Sequence, residues 1–273
     1  MDEIDRFLSE DLGTKGDITS TALFANQLAR ATIIAKQDCV VAGLQEAYLV
    51  FQKTKATATM IATDGASIKS GITVMQIRGP ARSILKGERL ALNIIGRMSG
   101  IATETKKLVK RCQKINPKVT IAATRKTTPG FRSFEKKAII LGGGEPHRYG
   151  LYDAVLIKDN HLKLIGSVEE AIKKIKKKLP DNIIEIEVEN ETDALTAATM
   201  NVASIMLDNM TPVAGKNIAR KIRMINPEIL IEASGGITVK NIENYASFAD
   251  RISLGWLTHS IKNIDFSLEI FKN

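Results

Sequence analysis

Apolar positions recur along the chain at two different periods, and the change of period divides it. Over residues 4–12 and 44–53 they step by three and four, the spacing of an amphipathic helix. Runs at 31–35, 56–62 and 72–79 read as strands. Residues 88–114 read as one long helix, with Leu92, Ile95, Met98, Ile101, Thr105, Leu108 and Cys112 on one face. This stretch predicts an α+β unit with a helix leading out of it. From Val119 onward the rhythm changes. Short apolar runs at 119–122, 154–157, 183–188, 204–207, 229–232 and 251–254 alternate with helical stretches, the pattern of parallel strands covered on both faces. Polar or charged residues follow several of these runs directly: Thr124-Arg125-Lys126, Lys158-Asp159-Asn160-His161, Asp208-Asn209, Ser234-Gly235-Gly236 and Gly255. A barrel of β/α units places its reacting groups at the C-terminal ends of its strands. Six runs rather than eight leave an incomplete or irregular barrel as an open alternative.

Composition narrows the class. At 273 residues the chain holds one large domain or two modest ones. Its 44% hydrophobic and 25% charged residues exclude a disordered or fibrous chain. No run approaches the roughly 18 apolar residues of a membrane helix, so no membrane partner is expected. The acidic opening Met1–Asp11 lacks the basic and then apolar regions of a secretory signal, which predicts a cytoplasmic location. Cys39 and Cys112 stand too far apart for a disulfide framework or a metal pair and read as buried thiols. The net charge of +9 is local: without Lys173, Lys174, Lys176, Lys177 and Lys178 it falls to +4. These lysines follow Ser167-Val-Glu-Glu170, a capping box, and precede Pro180, with Val168, Ile172, Ile175 and Leu179 at helical spacing. They predict a solvated helix face. With 5% aromatics there is also little material for base stacking, and no nucleic-acid partner is expected.

Three groups of residues carry candidate chemistry. The loops Ala233-Ser-Gly-Gly-Ile237 and Ser253-Leu-Gly255 resemble paired barrel loops that hold a phosphate on backbone N–H groups. Glycine there lets the backbone approach the anion. Arg89, Arg125, Lys126, Arg148 and Lys158 form a dense set of cations. Gathered at one barrel mouth they repel one another unless an anionic ligand neutralises them, so they predict a polyanionic small substrate. Glu185, Glu187 and Glu189 alternate on one strand and Asp208 ends the next. Carboxylates beside phosphates hold Mg²⁺ or fix sugar hydroxyls; periodicity leaves open which glutamate does so. A zinc site from His147, His161 and His259 has no supporting spacing.

Nine motifs in order bring a resemblance. Glu10-Asp-Leu-Gly13 with Gly16-Asp17, Glu88-Arg-Leu-Ala-Leu-Asn93, Ser99-Gly-Ile-Ala-Thr103, Thr124-Arg-Lys-Thr-Thr-Pro-Gly130, Gly142-Gly-Gly144 with His147-Arg148, Leu156-Ile-Lys-Asp-Asn-His161, Asp208-Asn-Met210, Glu232-Ala-Ser-Gly-Gly-Ile237 and Leu257-Thr-His-Ser260 together resemble the quinolinate phosphoribosyltransferases. The resemblance implies an α/β chain: an N-terminal α/β sandwich domain over 1–112, on which the tail 264–273 is a candidate to pack, and an incomplete, irregular α/β barrel over 113–263. It implies transfer of a phosphoribosyl group from phosphoribosyl pyrophosphate to quinolinate with loss of CO2, giving nicotinate mononucleotide for NAD biosynthesis, with Mg²⁺ as cofactor. Carried over motif by motif, Arg125, His147, Arg148 and Lys158 surround the quinolinate carboxylates with Lys126 beside them. Arg89 reaches in from the partner of a homodimer or higher oligomer. Glu187 and Asp208 face the ribose and the metal, directly or through water, and Ser234, Gly235, Gly255 and His259 line the 5′-phosphate end. Lys126, Lys158, Glu187 and Asp208 are the implied catalytic groups. Ala123, Pro146 and Trp256 depart from the family pattern and bear on loop shape. Lys158-Asp-Asn-His161 argues against a related protein associated with molybdenum transport.

Overall fold

The structure, a computed structural model, describes residues 2–272. The chain forms two compact units: Met1–Lys106 with Thr127–Gly143 and Leu257–Asn273, and Lys107–Lys126 with Gly144–Trp256. The units interleave in sequence. The division near Lys106 falls inside the helix Ala81–Gln113, which begins about two turns before the expected 88–114, directly after a strand.

In the first unit the strands are β1 (Leu28–Ala35), β2 (Cys39–Val40), β3 (Thr57–Met60), β4 (Ser67–Ile68) and β5 (Thr73–Pro80). The last strand of the chain, β12 (Phe266–Lys272), also belongs here, the six strands from β6 to β11 lying in the other unit. One antiparallel sheet runs β12-β1-β5-β3, with Ala31 opposite both Ile270 and Ile77. Alternate residues of β1 are buried, so Ala29, Ala31, Ile33 and Ala35 share the core face with Met75 and Ile77. The helix Leu44–Lys53 adds Ala47, Val50 and Phe51 to that core. Each large apolar side chain so buried contributes roughly 1.5–3 kcal/mol.

In the second unit β6 (Thr120–Ala123), β7 (Val155–Ile157), β8 (Ile184–Val188), β9 (Ser204–Asp208), β10 (Leu230–Ser234) and β11 (Arg251–Leu254) form one sheet in the order β6-β11-β10-β9-β8-β7. All five pairings are parallel. In a closed barrel β6 and β7 would also pair; here they do not, and the barrel is open along that seam. The segment after Gly144 runs beside β6 instead. Glu145 N–H donates to the Ile121 carbonyl at 2.8 Å, and Ala123 N–H donates to the Glu145 carbonyl at 3.0 Å. Because every strand points the same way, all six C-terminal ends lie at one mouth.

Between strands, Ser167 caps the helix Val168–Lys178 by accepting from Glu170 N–H. The Glu170 carboxylate pairs with Lys174 rather than returning to close a capping box. The five lysines of this helix are exposed, as the sequence predicted, and Ala171 and Ile172 face inward. Cys39 and Cys112 are buried free thiols, and burial pushes both up to about 11.

Candidate active site

The mouth of the open barrel encloses a cavity of about 360 Å³. Its wall includes Arg125 and Lys126 after β6, His147 and Arg148 in the seam segment, Lys158 after β7, Glu187 on β8, Asp208 at the end of β9 and Ser234 at the end of β10. Eight residues expected from the sequence thus line one cavity. Strand geometry explains it: residues at or just past the ends of parallel strands converge, and the inward side chains of β8 alternate, sending Glu185 and Glu187 to the same face.

The cations crowd one another. Burial pulls Arg148 below the ordinary guanidinium range, and the nearby Arg125 charge pulls it further. Lys158 Nζ lies 2.7 Å from Glu187 Oε2, joining the strand ends of β7 and β8. That contact resolves which glutamate faces the mouth: Glu187 lines the cavity, Glu189 is exposed beyond the strand, and Glu185 turns to a buried cluster below. Asp208 is half-buried, with Oδ2 accepting from Asn209 Nδ2 at 2.7 Å.

The loop after β10 is shaped by its neighbour. Gly235 has φ +79° and Gly236 φ +63°. A Cβ on Gly235 would come within 2.3 Å of Asn209 Oδ1 and 2.5 Å of Asn209 N, so glycine there admits the turn after β9. Trp256 Nε1–H donates to the Ile237 carbonyl at 3.0 Å, fastening the loop after β11 to the loop after β10. Gly255 lies in this tied loop, half-buried.

Arg89 and His259 are not part of this cavity's wall. Both belong to the first unit, where Arg89 lines a separate cavity of about 560 Å³ with Glu10, Asp11, Asn93 and Arg97, and His259 is exposed. The three histidines do not assemble either: His161 Nδ1 accepts from Lys158 N–H at 2.9 Å within its own helix turn.

Below the mouth lies a polar cluster that sequence reasoning missed. Glu232 on β10 is fully buried, and its carboxylate accepts from Ser253 Oγ and from Arg251 Nη1, the latter at 3.0 Å. Arg251 Nη2 also pairs with Glu145 Oε1 at 2.7 Å. His147, with φ +53°, turns Nε2 toward Glu185 Oε2 at 3.2 Å and Glu232 Oε2 at 3.4 Å. Its Nδ1 accepts from Arg148 N–H at 2.8 Å. Burial opposes charge on the ring, but the two carboxylates outweigh it and draw its pKa up to about 9. Burial likewise opposes ionisation of Glu232, yet His147, Ser253 and Arg251 hold it down to about 2. Burial raises Glu185. Although one ligand atom each from His147, Glu185 and Glu232 falls within 4.8 Å of the others, the Arg251 charge fills the place a cation would take. The signal available in the sequence was the run of charged residues inside apolar strands: Glu185, Glu232 and Arg251.

An open parallel barrel whose mouth collects guanidinium and ammonium groups beside two carboxylates defines an enzyme acting on a multiply anionic small substrate. Comparison with known proteins makes this specific. Residues 17–99 and 101–269 match the family models described as quinolinate phosphoribosyl transferase, N-terminal domain and C-terminal domain. A protein of Archaeoglobus fulgidus named probable nicotinate-nucleotide pyrophosphorylase (carboxylating) is 42% identical over 260 residues, covering 94% of this chain and 99% of that one. One of Bacillus subtilis with the same name is 38% identical, covering 98% and 92%. The crystal structure of nicotinate-nucleotide pyrophosphorylase from Ehrlichia chaffeensis superimposes with a TM-score of 0.93 at 35% identity, over 98% of this chain and 97% of that one. The chain belongs to the quinolinate phosphoribosyltransferase family.

Proposed function

We infer that this chain transfers the phosphoribosyl group of phosphoribosyl pyrophosphate to quinolinate and releases CO2, yielding nicotinate mononucleotide and pyrophosphate. The observation that carries the reading is the gathering of Arg125, Lys126, Arg148 and Lys158 around one cavity that Glu187 and Asp208 also line. Quinolinate brings two carboxylates and phosphoribosyl pyrophosphate several phosphate oxygens, which together neutralise cations that otherwise repel.

Arg125, Arg148 and Lys158, with Lys126 beside them, hold the carboxylates and aim the pyridine nitrogen at the ribose carbon that bears pyrophosphate. His147 stands beside them in the cavity wall. The nitrogen's lone pair forms the new C–N bond as the C–O bond to pyrophosphate breaks. Charge on the ribose carbon in that oxocarbenium-like passage is stabilised by Glu187 and Asp208. The alkylated, positive ring then accepts the electron pair left on the adjacent carbon when the C–C bond to CO2 breaks, and that carbon takes up a proton. Ser234, Gly235 and Gly255 stand at the ends of β10 and β11 for the 5′-phosphate.

The donor set fits Mg²⁺: Glu187 and Asp208 supply hard oxygen ligands on one wall, few enough to leave coordination places for water and phosphate oxygen. Bound there, the ion would supply charge neutralisation for the departing pyrophosphate. The family resemblance adds a cytoplasmic homodimer in which Arg89 serves the partner's site, and a place for His259 at the phosphate end. Initial rates of CO2 release from quinolinate and phosphoribosyl pyrophosphate, with and without Mg²⁺, test the reading. Turnover is expected with quinolinate and not with nicotinate, which lacks the second carboxylate; equal turnover of both refutes it.

A further inference from the structure

We propose that Glu232 is a positioning residue for the carboxylate-binding groups, acting through His147 on Arg148. It rests on the reading that Arg148 binds quinolinate.

The segment that carries His147 and Arg148 occupies the open seam of the barrel and is laddered to β6 by two bonds at Glu145. Beyond Glu145 the chain lacks strand pairing, and His147 adopts a left-handed backbone conformation that a side-chain-bearing residue holds only when its surroundings enforce it. What enforces it is a closed ring of contacts. Arg251 on β11 grips Glu145 on one side and Glu232 on the other. Glu232, at 0% exposure, faces His147 Nε2, and His147 Nδ1 receives the Arg148 backbone N–H. The ring begins and ends in the same loop, so it fixes Glu145 and His147 against two adjacent strands at once.

Ser253 and Arg251 donate to the Glu232 oxygens, and Oε2 also faces the imidazole Nε2 at 3.4 Å. A carboxylate here does what an amide cannot: it accepts from both donors and sets a negative charge against the ring, tying His147 to β10. Replacement by glutamine presents an N–H₂ group to Arg251 or to His147, and one of the two contacts is lost. The ring then turns, the Arg148 amide loses its acceptor, and the guanidinium that follows it is no longer held where the carboxylate docks.

The test compares Glu232→Gln, His147→Ala and the double variant with the wild type for kcat, the KM of each substrate and thermal unfolding. The expected result is a rise of about tenfold or more in the quinolinate KM for Glu232→Gln, the scale of one lost charged hydrogen bond, with the phosphoribosyl pyrophosphate KM within about twofold. The double variant should be no worse than His147→Ala alone, because both changes break one chain of contacts. Equal rises in both KM values, or losses that multiply in the double variant, overturn the proposal. If Glu232→Gln does not fold, Ser253→Ala, which loosens the same carboxylate and keeps its charge, should give a smaller rise in the quinolinate KM alone; no such rise overturns the proposal equally. A His147→Ala effect without a Glu232 effect refutes only this inference, whereas an Arg148→Ala protein with an unchanged quinolinate KM refutes the site reading beneath it.

Discussion

Replacing Arg148 with alanine separates ligand binding from folding, because the same charge helps one and strains the other. In the protein without substrate, Arg148 stands near Arg125, whose charge pulls its pKa down, and its Nη1 reaches the Ala154 carbonyl only at 3.5 Å, near the limit for a hydrogen bond. Removing the guanidinium takes away that repulsion together with the attraction of Glu185, Glu187 and Asp153, and the two offset in part. With a carboxylate bound, the planar fork can make two charge-assisted hydrogen bonds, together about 3–4 kcal/mol. The expected loss is then about two to three powers of ten in kcat/KM for quinolinate. Initial rates of CO2 release at saturating phosphoribosyl pyrophosphate measure it, and a thermal melt of the same protein should move by no more than about 2 °C, the equivalent of about 1 kcal/mol in a chain of this size. A melt lowered in step with activity, or a phosphoribosyl pyrophosphate KM raised as much as that of quinolinate, would show that Arg148 supports the fold or another substrate, and the argument from crowded cations would fail.

Gly235→Ala should destabilise by about 2–4 kcal/mol, since it combines a left-handed backbone with a Cβ driven into Asn209, while Gly236→Ala, left-handed but facing open space, should cost only about 1 kcal/mol; urea melts of the two variants check the contrast. Glu232, held down to about 2, contributes stability that is fully present above the ordinary carboxylate range near 4.5 and is lost as pH falls through 2. The melting temperature of wild type should thus exceed that of Glu232→Gln at pH 7, and the difference should shrink as pH falls from 4.5 toward 2. Lys173→Glu with Lys177→Glu, on the exposed helix face, should leave kcat/KM within about twofold, because exposed charges away from the mouth are screened by salt.

The six barrel strands were legible because near-continuous apolar runs separated by helices admit few other structures, and the observed strands differ from the expected runs by two residues or fewer. The site cations were legible for the same reason: they stand where those runs stop. Other elements were hidden. The helix Arg132–Leu141 buries Glu135 and Lys136 along with Phe134, so its inward face carries charges and periodicity cannot find it. Those charges make sense only with partners distant in sequence: the Glu135 carboxylate accepts from Arg97 at 2.8 Å and from Thr128 Oγ1 at 3.0 Å. The strands β2 and β4 have two residues each, too short for any pattern.

The hidden charges of the second unit follow one rule. A barrel closed by strands holds its groups with backbone ladders, which any sequence can make. An open barrel must hold the segment in its seam with side chains, and those side chains must reach across the interior from the strands opposite. Buried pairs of this kind contribute little net stability, because the cost of removing charge from water offsets the attraction. They contribute position. Glu232 and Arg251 therefore sit in the interior of otherwise apolar strands, below the mouth they serve, and the unpaired seam between β6 and β7 is the reason they are there.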